Sequence, residues 1–202
     1  MTGEAWLDER FVTGGPDRRL AWHCPPGRWS CGTDGLTLAT EAGTDFWQGT
    51  HYGFRTDNGH ALLAEVTGDF VMATAVRTEP RAQYDQAGLM VRLDAQCWLK
   101  TSVEFEPGHP SRLGAVVTNH GWSDWSTQDV DPERAREVAF RITRTGADYL
   151  IEAALGGAPW SQLRLGRLQS DAGGAVRAGI YACSPKEGGM SARFAFLTIA
   201  RG

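Results

Sequence analysis

Lysine is almost missing from this chain of 202 residues. Only Lys100 and Lys186 interrupt the arginines among its 20 basic side chains. The net charge is -4, and no basic stripe is present, which argues against a general nucleic-acid binder. No apolar run approaches the ~20 residues of a membrane-spanning helix. The start, MTGEAWLDER, lacks a basic stretch followed by an apolar one, so no secretory signal is expected and the chain reads as cytoplasmic. Cysteine is scarce too. Cys24, Cys31, Cys97 and Cys183 form no C-x-x-C pair, and no histidine stands at zinc-site spacing from them. Free thiols are expected, with no metal and no cofactor. Also absent are the G-x-S-x-G elbow, the phosphate-binding loop and H-E-x-x-H.

Helix signals are nearly lacking as well. Asp131-Pro132-Glu133 offers a cap, a first-turn proline and an early acid, enough for one helical turn. What fills the chain is period-two patterning in short runs rich in β-branched and aromatic residues. Strands are expected near 36–39, 53–56, 61–66, 70–77, 87–94, 97–106, 112–118, 137–143, 147–155, 176–183 and 192–200. Turn chemistry separates them at Thr67-Gly68-Asp69, Pro107-Gly108 and Thr145-Gly146, and Asp57-Asn58-Gly59 suits a tight hairpin with positive φ. The composition, 42% hydrophobic and 22% charged, is that of a folded domain. The expectation is one all-β domain over residues 1–202, an antiparallel sandwich, with residues 1–35 as an irregular segment packed on it.

Alternation sorts the side chains of the central strands. Trp98, Lys100, Ser102 and Glu104 share one face of their strand, and Leu99, Thr101 and Val103 the other. Met90 and Arg92 likewise oppose Leu89, Val91 and Leu93. One face is core, and the other is polar with a tryptophan in it. A solvated outer face with cross-strand charge pairs is one reading of that polar side. A ligand groove is the other. Indoles beside carboxylates suit sugars, because a pyranose presents an apolar face for stacking and hydroxyls for hydrogen bonding. The run Trp122-Ser123-Asp124-Trp125-Ser126, read as loop-like, brackets an acid with two indoles.

The segment Gln86-Ala87-Gly88-Leu89-Met90-Val91-Arg92, with Trp98-Leu99-Lys100-Thr101, Glu104, Val116-Val117-Thr118-Asn119 and Ser123-Asp124-Trp125-Ser126, resembles a known family. It is the concanavalin A-like family, largely of unknown function, that includes the fungal regulation-of-enolase protein. The resemblance covers about residues 40–200. It implies a two-sheet antiparallel jelly-roll sandwich with one concave sheet, related in architecture to legume lectins, laminin G domains and family-16 glucanases. The glucanase pattern E-x-D-x-E is matched here only by Glu104-Phe105-Glu106. Lectin metal ligands are not recognisable, though Asp129 and Asp131 are candidates for calcium.

The leading expectation is a carbohydrate or similar polyhydroxylated ligand bound on the concave sheet by Gln86, Arg92, Trp98, Thr118, Asp124 and Trp125, with Lys100 and Glu104. A second is an enzyme using Glu104 and Lys100. It is either a glycan hydrolase, with Glu104 and Glu106 as acid and nucleophile or base, or a cofactor-free lyase or isomerase with Glu104 as base and Lys100 or Arg92 stabilising an enolate. Lys100 as a neutral base or imine former is a further option. A third expectation is a protein-interaction module. His120, near Trp122 and Asp124, is a candidate lining residue. The expected partner is a small molecule or glycan, with neither nucleic acid nor membrane.

Overall fold

The computed structural model describes residues 5–12, 14–169, 171 and 173–202. In chain order its strands are β1 Ala5–Glu9, β2 Leu20–His23, β3 Arg28–Gly32, β4 Gly35–Ala39, β5 Phe46–Gln48, β6 Arg55–Asp57, β7 His60–Thr67, β8 Phe70–Glu79, β9 Gln86–Arg92, β10 Trp98–Glu104, β11 Ser111–Asn119, β12 Trp122–Val130, β13 Glu137–Thr145, β14 Asp148–Leu155, β15 Ser161–Arg167, β16 Ala175–Cys183 and β17 Ser191–Arg201. The architecture is all-β, as expected: two large antiparallel sheets. An eight-stranded sheet runs β15-β14-β13-β8-β17-β4-β3, with β1 also on β17. A seven-stranded sheet runs β12-β11-β10-β9-β16-β7-β2, and β5 and β6 form a separate two-stranded ribbon.

Alternation builds the core between the sheets. Leu89, Val91, Leu99, Leu113, Val117 and Ile180 from the seven-stranded sheet join one apolar cluster with Met72, Val76, Phe140, Ile142, Ile151 and Phe194 from the eight-stranded one. Each such side chain, fully buried, stabilises the fold by about 1.5–3 kcal/mol. The opposite face of the seven-stranded sheet carries a second cluster. Ala61, Leu63, Met90, Trp98, Val116, Tyr181 and Cys183 lie there, covered by Phe46 and Trp47 of β5. This sheet is therefore covered on both faces at its centre, and all seven residues of β9 are buried.

The departures from expectation are mostly edge strands. Within 1–35 the described residues are not all irregular: β1, β2 and β3 take places in the two sheets. The loop-like run at 122–126 is the start of β12, and β15 was not expected at all. β2, β3, β12 and β15 each end a sheet. An edge strand is covered less and needs less alternation, so its sequence reads as polar. Residues 131–136 do form one turn: Asp131 accepts from Ala135 N at 3.0 Å, and its carboxylate caps Glu133 N at 2.9 Å.

Asn58-Gly59 is not a hairpin. β6 and β7 belong to different sheets, and neither Asn58 nor Gly59 has positive φ. Gly59 is needed for another reason: a Cβ there would lie 2.2 Å from the Phe46 ring. Asn58 fastens the approach to β5. Its Oδ1 accepts from Asp45 N at 2.9 Å and its Nδ2 donates to Gly43 O at 3.0 Å.

Candidate functional site

The β5–β6 ribbon forms a roof over the outer face of the seven-stranded sheet. Side chains of that sheet fix it in place. Arg92 holds Asp57 of β6 through two hydrogen bonds of 2.6 and 2.7 Å. Ser123 Oγ accepts from Gln48 N at 2.9 Å and pairs with Thr118 Oγ1 at 2.8 Å. Arg55 donates to Gly121 O at 2.5 Å and lies over the Trp122 ring.

Beside this roof opens a cavity of about 430 Å³. Its walls are aromatic: Trp47, Tyr52, Phe54, Tyr84 and Trp125. Asp45, Gln86, Lys100 and Glu104 supply its charged and amide groups, and Thr56, Gly43, Pro185 and Lys186 complete the lining. Strand register gathers the polar groups. Gln86 of β9 stands directly opposite Glu104 of β10, and Lys100 lies between Met90 of β9 and Val116 of β11. Val116 in turn faces Trp125 of β12.

Lys100 is 2% exposed. Its Nζ donates to Gln86 Oε1 at 2.9 Å and to Asp45 Oδ1 at 3.3 Å. Tyr181 Oη donates to the same Gln86 oxygen at 3.0 Å, and Gln86 Nε2 donates to Tyr84 O at 3.1 Å. Gln86 is thus oriented from both ends. Asp45 Oδ1 also accepts from Phe46 N at 2.7 Å. Burial works to pull the Lys100 pKa down, but the Asp45 carboxylate first, then Cys183 and Glu104, outweigh it and leave it above the ordinary value. That direction favours the ammonium over the neutral amine that a base or an imine former needs. Glu104 behaves oppositely. Burial pushes its pKa up to about 7, against the pull of Lys100 and a hydrogen bond with Gln86. Burial also drives the Cys183 thiol well above its usual range, which makes it a poor nucleophile.

The structure brings Gln86, Lys100, Glu104 and Trp125 to one cavity. It places the other four expected site residues elsewhere. Arg92 has its guanidinium on Asp57. Trp98 is wholly buried, edge-on to Phe46, and its Nε1 donates to Ala95 O at 3.3 Å. Thr118 is buried on Ser123. Asp124 follows the alternation of β12 away from Trp125 and pairs with Arg164 at 2.8 Å on the surface. Arg92 and Thr118 brace the roof, Arg92 through Asp57 and Thr118 through Ser123. Glu106 lies beyond β10, bonded to Gln83 at 2.8 Å and outside the cavity lining, so the Glu104–Glu106 pair does not form a site. His120 sits in a turn on Gln169. Asp129 is taken by Arg112 and Asp131 caps a turn, and no cluster suited to a metal occurs among the described residues.

Sequence reading missed Asp45 and the roof aromatics. The signal was present as four aromatics within Phe46–Phe54, a concentration that a surface loop does not need. The loop is held by its own backbone. Gly49, His51 and Gly53 all have positive φ, and Gly49 N donates to Phe54 O at 2.9 Å.

Residues 22–201 match the family described as "Protein of unknown function (DUF1349)". The chain belongs to the DUF1349 family. Regulation of enolase protein 1 of Saccharomyces cerevisiae is similar, 38% identical over 159 residues, which are 79% of this chain and 78% of the yeast protein. The crystal structure of a functionally unknown S. cerevisiae protein superposes with a TM-score of 0.82 at 34% identity, covering 91% of this chain and 97% of that one. More distant structures share the sandwich. The GH43 BlXynB protein of Bacillus licheniformis gives a TM-score of 0.76 at 14% identity, over 96% of this chain and 39% of its own. Lectin I-B4 of Griffonia simplicifolia gives 0.59 at 11%, over 91% and 93%. At these identities the DUF1349 chain shares a fold with them, which carries no activity across.

Proposed function

We propose that this protein binds a carbohydrate or similar polyhydroxylated small molecule in the cavity beside the β5–β6 roof. One observation carries the reading. A single cavity joins five aromatic walls to a cluster of oriented polar groups, Lys100, Gln86, Asp45 and Glu104. Its volume of about 430 Å³ falls in the range of small-molecule sites. Trp47, Trp125, Tyr52 and Phe54 offer flat faces for a sugar ring. The ammonium, amide and carboxyl groups match hydroxyls that both donate and accept. Fold likeness to a lectin and to a glycoside hydrolase family agrees with this reading as analogy.

The test is a thermal-shift screen of monosaccharides, disaccharides and sugar acids, followed by calorimetry. A ligand at 100 times its Kd adds about 2.7 kcal/mol. For a chain this long, that raises the Tm by roughly 5–10 °C. Tyr52→Ala and Phe54→Ala, both at exposed positions, are expected to keep the fold and weaken binding at least threefold. If no sugar raises the Tm of the wild type, the reading falls and a protein-interaction module takes its place.

A further inference from the structure

We infer that the cavity interconverts open-chain aldoses and ketoses, with Glu104 carrying the proton between adjacent carbons and Lys100 stabilising the enediolate oxygen. This rests on the sugar-binding reading and adds a reaction to it.

Lys100 is paired with Asp45, not with Glu104. Glu104 is therefore able to gain or lose a proton without breaking an ion pair. It is buried and lines the cavity, and burial raises its pKa to about 7, which suits a group that takes a proton and returns it. An ammonium has three N–H donors. Gln86 and Asp45 accept two of those of Lys100, leaving a third for a ligand oxygen in the cavity that the residue lines. Two-point bonding fixes the amine before any ligand arrives. Such a preset donor stabilises a developing oxyanion with little rearrangement.

Other chemistries fit these residues less well. An imine needs a neutral amine, and Lys100 is kept charged. Double-displacement glycoside hydrolysis needs a carboxylate nucleophile beside the acid. The second carboxyl here is Asp45, whose Oδ1 already meets Lys100 Nζ, Phe46 N and Cys183 Sγ. Elsewhere in the molecule, the buried Arg144 and Asp171 line neither this cavity nor the depression at Asp34 and Arg77. The shallow depression at Asp34, Arg77, Glu137 and Arg193 holds two acids and two arginines with no aromatic wall.

The step balances without an oxidant or metal. The Glu104 carboxylate removes the hydrogen on C2 of the aldose. That C–H electron pair becomes the C1–C2 double bond, and the carbonyl pair moves onto O1, which Lys100 holds. The O2 proton passes to O1, the carbonyl re-forms at C2, and the C1–C2 pair takes the proton from Glu104 at C1. Glu104 ends as the carboxylate it began as.

The test uses the full chain in deuterium oxide with D-xylose, L-arabinose, D-glucose, D-galactose and the corresponding ketoses. NMR follows deuterium uptake at the carbons next to the carbonyl. The expected result is uptake with ketose formation. Its rate should rise with pH through about 7, as the carboxylate form is populated. It should fall at least ~100-fold in Glu104→Gln, while that variant still shows the sugar-induced Tm shift. A wild type that binds a sugar but takes up no deuterium overturns the inference and leaves the binding reading standing. Uptake by Glu104→Gln equal to the wild type also overturns it. If no sugar shifts the Tm, both readings fail.

Discussion

Two buried charged clusters in this molecule obey opposite rules. In the first, Arg144 and Asp171 are 0% and 1% exposed at their side chains. Arg144 Nε donates to Asp171 Oδ2 at 3.0 Å, and its other nitrogens reach Gly68 O at 2.8 Å and Gly174 O at 3.0 Å. Asp171 also accepts from Tyr149 Oη at 2.5 Å and Gly173 N at 2.9 Å. The two charges are paired with each other, and neither residue lines the site cavity. In the second cluster, Asp45, Lys100 and Glu104 share a cavity wall, Asp45 and Lys100 pair, and Glu104 is left over. Burial with full pairing holds loops together. Burial with a remainder gives a group whose charge a ligand, or the pH, can set.

The largest expected effect breaks the closed cluster. Arg144→Met leaves the Asp171 carboxylate buried without its cation and should lower stability by about 3–5 kcal/mol. Urea unfolding measures it. Sugar affinity should be unchanged where the variant is folded, since the cluster does not line the cavity.

Removing the leftover carboxyl should act the other way. Glu104 faces Lys100 on its own strand, Gln86 on β9, Asp45 before β5 and Glu106 beyond β10. Its folded pKa is about 7 against an ordinary 4.5. Between these values the unfolded chain has released the proton that the folded chain still holds. Stability therefore falls as pH rises from 4.5 to about 7 and levels off above. The loss is on the order of 3 kcal/mol. Glu104→Gln should remove that slope and be the more stable form at pH 8. Parallel unfolding curves of both proteins from pH 4 to 8 isolate the difference. A variant less stable than the wild type at pH 8 would show that Glu104 is a structural carboxylate after all.

How much of this was legible follows the same physics. The central strands were readable because one side of each is apolar and alternation marks it. Lys100 and Glu104 were legible as sharing a face for that reason. Their partner was not. Asp45 lies 55 residues before Lys100 in sequence, and only the crossover of the ribbon brings it there. Arg92 was placed by alternation on the face opposite Leu89 and Val91, yet strand parity says nothing of what covers that face. The roof does, and it turns Arg92 and Thr118 into its anchors. Asp124 was misread because its run is an edge strand, where alternation separates it from Trp125.

The roof itself gives a smaller test. Gly59→Ala places a methyl 2.2 Å from the buried Phe46 ring. Overpacking of this kind costs about 1–3 kcal/mol. Because Phe46 is in the outer cluster and not the main core, sugar affinity should fall along with stability, by at least threefold. That is unlike Arg144→Met, which changes stability alone. Calorimetry and urea unfolding on both variants compare the two regions directly.

The smallest effect concerns the chain's other lysine. Lys186 lines the mouth of the cavity, is exposed, and holds its ammonium 5.8 Å from the Tyr84 ring centroid. It makes no ion pair of 4 Å or less among the described residues, so its removal leaves no buried charge behind. Lys186→Ala should change stability by less than about 0.5 kcal/mol. Affinity for a neutral sugar should stay within about threefold, because the amine held in place for the ligand is that of Lys100. A tenfold loss, about 1.4 kcal/mol, would place the ligand at the mouth instead of against the inner ammonium. The comparison would then run between rim and floor of one cavity, with the rim lysine as the group that selects the ligand.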